Sequence, residues 1–186
     1  LIKLNGKIGI ILGIANEKSI AWGIAEKLSQ CGADLAFSYV NDSIKKRVLP
    51  LAEKCKSQIV LECDVTSDSS IDNFFKELSK IWESFDFLVH SIAFSDKNQL
   101  KGDYVNTSRN NFINTLDVSC YSFTALCQRA QHFMKSGGQI LTLSYLVCKT
   151  SNLAAKTPTT KAPSNAPIGN SMISPTESPL SVARPI

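Results

Sequence analysis

The sequence predicts an α/β fold, a doubly wound parallel sheet that ends after its fifth strand, and three observations carry that reading. Short apolar runs alternate with helical stripes through residue 146, the pattern of strand–helix–strand units with right-handed crossovers. The first run is continuously apolar up to Leu12, as a strand buried on both faces of a parallel sheet is. It stops at Gly13, where a residue without Cβ lets the backbone turn and come close to a ligand. Strand, glycine turn and helix start aim free N–H groups and the positive end of a helix dipole at one point. A pyrophosphate fits such an anion site, so the sheet is read as Rossmann-like.

The elements follow in order. After the polar loop Asn16-Glu17-Lys18, Ser19 stands as N-cap of a first helix. Ile20, Ala21, Ile24, Ala25 and Leu28 recur on its packed face, with Gly23 on or beside that face for close helix–strand approach. Gly32-Ala33 breaks the pattern, and Asp34–Tyr39 reads as the second strand, followed by Val40-Asn41-Asp42. The end of this strand meets the adenosine ribose in dinucleotide folds, often through a carboxylate. Lys45, Lys46 and Arg47 open the next helix, either as a solvated first turn, the reading taken here, or as partners for a 2′-phosphate. Ile44, Val48, Leu51, Ala52 and Cys55 form its stripe.

The third strand spans Gln58–Cys63 and runs into Asp64-Val65 at the carboxyl edge of the sheet. Asp64 is either a ligand contact or a turn residue capping the next helix. That helix carries Ile71, Phe74, Phe75, Leu78, Ile81 and Trp82, aromatics read as core rather than as a stacking platform. The fourth strand begins at Phe85, reaches His90 and exits through Ser91-Ile92-Ala93. His90 has no carboxylate partner in view and is read as a hydrogen-bonded strand residue, not an acid–base catalyst. The polar stretch Lys97–Asn106 is a loop, and Thr107-Ser108 caps one long helix bearing Phe112, Leu116, Cys120, Phe123 and Cys127. Gly137-Gly138 introduces the fifth strand, Gln139–Leu146.

With 186 residues, 44% hydrophobic and 19% charged, the chain suits one α/β domain, placed at residues 1–146. Residues 147–186 hold six of the seven prolines among Ser, Thr, Ala and Asn without periodicity, the composition of a disordered tail. The net charge of +4 is scattered, which argues against a nucleic-acid footprint. Cys31, Cys55, Cys63, Cys120, Cys127 and Cys148 show no metal-ligand spacing and are expected to be reduced core thiols of a cytosolic protein. No signal peptide and no membrane-spanning run is evident. The chain opens on Leu rather than Met, as a trimmed start would.

The loop Gly13-Ile14-Ala15-Asn16, continued by Ser19-Ile20-Ala21 and Gly23-Ile24-Ala25, resembles the cofactor loop of bacterial-type enoyl-[acyl-carrier-protein] reductases (NADH). These form a divergent branch of the short-chain dehydrogenase/reductases. The segment Lys97–Asn106 and the stretch Leu141–Leu146 resemble the same family, so the resemblance covers about residues 3–146. It implies that Gly13, Ser19, Ile20, Val40, Asp64, Val65 and Ile92 hold NADH, with Asp64 and Val65 beside the adenine. It places Ser95 near the acyl substrate and Tyr145 beside it as the catalytic-site tyrosine. At the position of Val40 the family tends to carry Gln, whose amide reaches the adenosine. Valine cannot make that bond, so the contact is lost or passes to Asn41.

The implied reaction is reduction of the trans-2 double bond of enoyl-acyl carrier protein in fatty-acid biosynthesis, in the cytoplasm, without membrane or nucleic acid. The family is tetrameric and builds its interface on the long helix, so a single chain should expose an apolar patch there. In the family a second tyrosine follows ten residues later and a lysine seven beyond it, the tyrosine stabilising enolate charge. Here Ala155 stands at the tyrosine's place, Tyr145 is the last aromatic residue, and Lys156 and Lys161 take no role. The abrupt change after residue 146 reads as a frame change, splice or fusion. The alternatives are a catalytically inactive NAD-binding fragment or partner subunit, and another short-chain reductase acting on a ketone.

Overall fold

A computed structural model describes residues 3–134 and 137–144. Five parallel strands, β1 (Ile8–Leu12), β2 (Asp34–Tyr39), β3 (Val60–Glu62), β4 (Phe87–His90) and β5 (Gln139–Thr142), form one sheet in the order β3-β2-β1-β4-β5. The helices are α1 (Ile20–Gln30), α2 (Asp42–Lys54), α3 (Asp68–Ser79), α4 (Arg109–Leu116) and α5 (Ser122–Ala130). A 3₁₀ turn at Tyr104–Asn106 precedes α4, and a π-helical turn at Asp117–Tyr121 joins α4 to α5.

Although β1 is apolar throughout, its side chains still alternate between the two faces of the sheet. Ile10 and Leu12 join Phe74, Phe75, Leu88 and Leu126 in a core under α3 and α5. Ile11 joins Trp22, Phe37, Val48 and Val89 in a second core under α1 and α2. Helices on both faces make the sheet doubly wound, as predicted. Gly9 pairs with Phe87, whose ring lies where a Cβ at Gly9 would stand. Lys7 Nζ and the Ile8 N–H hold the Asp86 carboxylate at 2.7 and 2.9 Å, which fixes β1 beside the entry to β4.

The aromatic residues of the α3 stripe are core, as expected: Phe74 and Phe75 are buried, with Trp82 packed against the same core. Phe75, Phe85 and Phe133 stack with ring centroids 5.6–6.4 Å apart. Arg129 reaches from α5 to Asp72 and Asp68 at 2.8 and 2.9 Å and clamps α5 to α3.

Several expectations are corrected. The strands β3, β4 and β5 are shorter than their apolar runs, because hydrogen-bonded pairing ends before the hydrophobic pattern does. Ser108 does cap α4, accepting from the Asn111 N–H at 3.2 Å, but the single long helix is broken by the π turn. Gly23 is exposed, and a Cβ there would meet nothing within 4 Å, so its missing side chain serves no helix–strand approach. Ile20 is exposed at the very start of α1, outside the packed face, and Ile81 is exposed beyond the end of α3. Among the cysteines, Cys55 and Cys63 are buried, Cys31 and Cys127 are half-buried, and Cys120 is exposed. Cys148, Tyr145 and the proposed tail 147–186 lie outside the described residues. Among those described, no helix is long and apolar enough to cross a membrane.

Candidate functional site

The chain runs from β1 outward to β3, then returns to place β4 on the other side of β1. Above this reversal, at the carboxyl ends of the strands, an open α/β sheet leaves a crevice. A cavity of about 400 Å³ lies there, within the size range of small-molecule sites. It is lined by the exits of β1 (Gly13), β2 (Val40), β3 (Asp64, Val65) and β4 (Ile92), with Val118 closing it from the π turn.

Gly13 has φ +101°, in the region that favours glycine, and a Cβ there would fall on the carbonyl oxygen of Ser91. The exits of β1 and β4 therefore touch backbone to backbone. Ser19 occupies the N-cap position of α1, yet its side chain makes no cap bond to the helix. Its Oγ instead accepts from the N–H groups of Ala15 and Asn16, both at 3.0 Å, and so folds the loop onto itself. Its carbonyl accepts from Trp22 and Gly23. The N–H groups of Ile20 and Ala21 then have no acceptor among the described residues, leaving two donors at the positive end of α1. Neither Ser19 nor Ile20 lines the cavity; from this loop the lining takes Gly13, Ile14 and Ala15.

At the far end, Asp64 Oδ1 accepts from the N–H and the hydroxyl of Thr66 at 3.0 and 2.7 Å. It does not cap α3, since Ser67 accepts from the Ser70 N–H in that role. Its Oδ2 receives no hydrogen bond among the described residues, and Asp64 lines the cavity. Val40 lies beside Tyr39 in the lining. Asn41 Oδ1 accepts from the Ile44 N–H at 3.0 Å as N-cap of α2, which commits that oxygen to the helix. Lys45 Nζ sits 5.1 Å from the centre of the Tyr39 ring, whereas Lys46 and Arg47 are exposed, as a solvated turn predicts.

Ser95 lies outside the cavity lining. Its hydroxyl accepts from Asn111 Nδ2 at 3.1 Å and Thr115 Oγ1 at 3.2 Å, fastening the segment after β4 to α4. Sequence reasoning missed Asn114, on α4, and Val118, in the π turn, which leaves no periodic signal of its own. Tyr39 was legible as a strand end but was given no role.

Two titratable groups near the site are held neutral. Burial and the neighbouring Asp64 push the Cys63 thiol up to about 12, so it is no thiolate nucleophile. His90 is 1% exposed, and burial lowers its pKa below 6.5. Its ring bonds Thr142 Oγ1 at 2.9 Å and Ser122 Oγ at 2.8 Å, the hydrogen-bonded strand residue that was expected. The helix face beyond the site exposes Phe112, Ile113, Leu116 and Tyr121, the apolar patch predicted for a single chain.

A family model described as Enoyl-(Acyl carrier protein) reductase matches residues 13–161. The Enoyl-[acyl-carrier-protein] reductase [NADH] 1 of Rhizobium meliloti (strain 1021) is 51% identical over 142 residues, 76% of this chain and 52% of that protein. FabI from Candidatus Liberibacter asiaticus superposes with a TM-score of 0.76 at 53% identity, over 78% of this chain and 57% of that one. The enoyl-(acyl-carrier-protein) reductase of Anaplasma phagocytophilum, solved in complex with NAD, gives a TM-score of 0.74 at 50% identity, over 77% and 55%. The chain thus spans about half the length of the relatives it matches.

Proposed function

The chain belongs to the enoyl-(acyl carrier protein) reductase family, and from that premise we propose that it is the cofactor-binding part of an NADH-dependent reductase. The reaction would be reduction of the trans-2 double bond of an acyl chain carried on acyl carrier protein, in cytoplasmic fatty-acid synthesis. The observation that carries this reading is the loop after β1, closed on the Ser19 hydroxyl, which leaves the Ile20 and Ala21 N–H groups at the start of α1 without an acceptor among the described residues. An isolated pyrophosphate is the group such donors fit.

The residues present fit a dinucleotide. Gly13 and the start of α1 would hold the pyrophosphate, Asp64 Oδ2 would accept from the adenine amine with Val65 beside it, and Ile92 would lie under a ribose. Val40 would pack on the adenosine without a hydrogen bond, since the Asn41 oxygen is committed to α2. The solvated Lys46 and Arg47 offer no organised 2′-phosphate site, which favours NADH over NADPH. When bound, NADH supplies a hydride to the carbon β to the thioester carbonyl. Tyr145 would face the acyl chain, and Ser95, fixed by Asn111 and Thr115, would set the segment near it. The mild positive charge suits an acidic carrier protein. Pairing of the exposed Phe112–Leu116 face between copies would give the homo-oligomer.

A second reading, a dinucleotide-binding unit without turnover, has one observation behind it: no tyrosine follows Tyr145 in the sequence. The test is an NADH titration followed by nicotinamide fluorescence, paired with turnover of crotonyl thioester and of a ketone. Binding with thioester reduction supports the proposal, and binding without turnover selects the second reading. A ketone reduced in preference to the thioester, or no NADH binding at all, overturns it.

A further inference from the structure

The π turn between α4 and α5 is where the helix changes task. Asn114 on α4 and Val118 within the turn line the cavity; after the turn, Ser122, Ala125 and Leu126 are buried under the sheet. The Ser122 N–H bonds the carbonyl of Asp117, five residues back. The carbonyl of Val118, which in an unbroken α-helix receives the N–H of Ser122, receives its hydroxyl instead, at 2.7 Å. That hydroxyl proton is therefore committed, and Ser122 Oγ can only accept from His90 Nε2. Nε2 is then the protonated ring nitrogen, and Nδ1 accepts from the hydroxyl of Thr142 on β5. The result is one directed chain, Thr142 to His90 to Ser122 to Val118, crossing from the sheet edge to the π turn.

We infer that His90 is a positioning residue, whose hydrogen bond to Ser122 holds the π turn and, through it, the Asn114–Val118 wall of the pocket. A π turn stores one residue more than α geometry, and α-helices advance 100° per residue. Relaxation to α would turn α4 about 100° against α5 and carry Asn114 and Val118 off the cavity. Burial supports the arrangement by keeping the ring neutral, so that Nδ1 remains an acceptor. No charged side chain bonds either ring nitrogen among the described residues. That the wall belongs to a dinucleotide site rests on the function proposed above; the hydrogen-bond chain does not.

The test compares His90→Phe, which keeps an aromatic ring without a donor, with His90→Gln, whose amide can donate toward Ser122. It is made on the full chain. NMR scalar coupling across the hydrogen bond reads the π turn directly, as a signal from the residue-122 amide nitrogen to the Asp117 carbonyl. In the wild type this coupling is present and the ring shows the Nε2–H tautomer, the exposed His132 serving as the reference histidine. The chain predicts loss of the coupling in His90→Phe and in Ser122→Ala, and its recovery in His90→Gln. NADH affinity should fall about tenfold in the first two and return in the third. A merely structural role would lower the melting temperature of every variant and leave the coupling in place, which would overturn the inference. If His90→Phe does not fold, Ser122→Ala decides. If the wild type binds no NADH, the proposed function falls while the coupling still decides the inference.

Discussion

The replacement Ser19→Ala separates two jobs a helix-start serine can do. In this chain the hydroxyl accepts two backbone N–H groups of the loop, Ala15 and Asn16, each at 3.0 Å, and none from α1. A net hydrogen bond is worth about 0.5–1.5 kcal/mol, and Asn16 is exposed, so water recovers part of its loss. The two together give about 1–2 kcal/mol, which corresponds to a loss of NADH affinity of roughly 5- to 30-fold, because binding must reorder the loop. The first turn of α1 should be untouched, since Trp22 and Gly23 bond to the Ser19 carbonyl, which alanine keeps. Fluorescence titration gives the affinity, and amide hydrogen exchange at Trp22 and Gly23 gives the integrity of the turn. Affinity within twofold of wild type, with faster exchange at those two amides, would refute the reasoning and restore an ordinary N-cap. Ser19→Thr, which retains the hydroxyl, should bind nearly as the wild type does.

Other outcomes follow from the same geometry. Gly23→Ala places a methyl in open space in the middle of α1, so it should raise stability by about 0.5–1 kcal/mol, seen as a higher melting temperature with unchanged NADH affinity. Gly13→Ala meets both a positive φ and the Ser91 carbonyl. At about 1–3 kcal/mol for the backbone and as much again for overpacking, it should abolish measurable NADH binding and lower the thermal midpoint. Acid should weaken the fold in two stages. His90 is held below its ordinary pKa by burial, so the unfolded chain takes the proton first and stability declines as pH falls below about 6.5. Asp86 is held below the ordinary carboxylate value by hydrogen bonds from Lys7 and the Ile8 N–H. Its contribution is complete above about pH 4 and disappears as pH falls through the lowered value. Melting temperatures from pH 8 to 3 should show both declines, with His90→Gln flattening the first and Asp86→Asn the second.

What was legible in the sequence was whatever one local pattern decides. The second strand was read with both ends correct, because Gly32-Ala33 and Val40-Asn41 bracket a short, mostly apolar run. Gly13 was legible because one backbone geometry demands glycine. Ser19 was located correctly but given the wrong bond, since composition cannot say whether a hydroxyl turns toward the helix or back into the loop. Gly23 misled for a similar reason: a glycine in an apolar stripe looks like a close contact until the rotation of α1 is known. The π turn was hidden altogether, because Phe112, Leu116, Cys120 and Phe123 keep plausible helical spacing across it. The bond that sustains it comes from His90, 32 residues away. Asp64 was placed at the site, but only the structure shows one oxygen used in the turn and the other left open.

The strand order also sets a schedule for synthesis. The central strand β1 pairs with β2 on one side and with β4 on the other. About 75 residues separate the end of β1 from the start of β4, roughly 4–15 s of translation at 5–20 residues per second. Through that interval the most apolar strand of the sheet has one bare margin. The rim of the candidate site is also incomplete, because Gly13 has no Ser91 to close against. Docking of β4 ends both conditions at once, and the pocket is then completed only when α4 and the π turn bring up Asn114 and Val118.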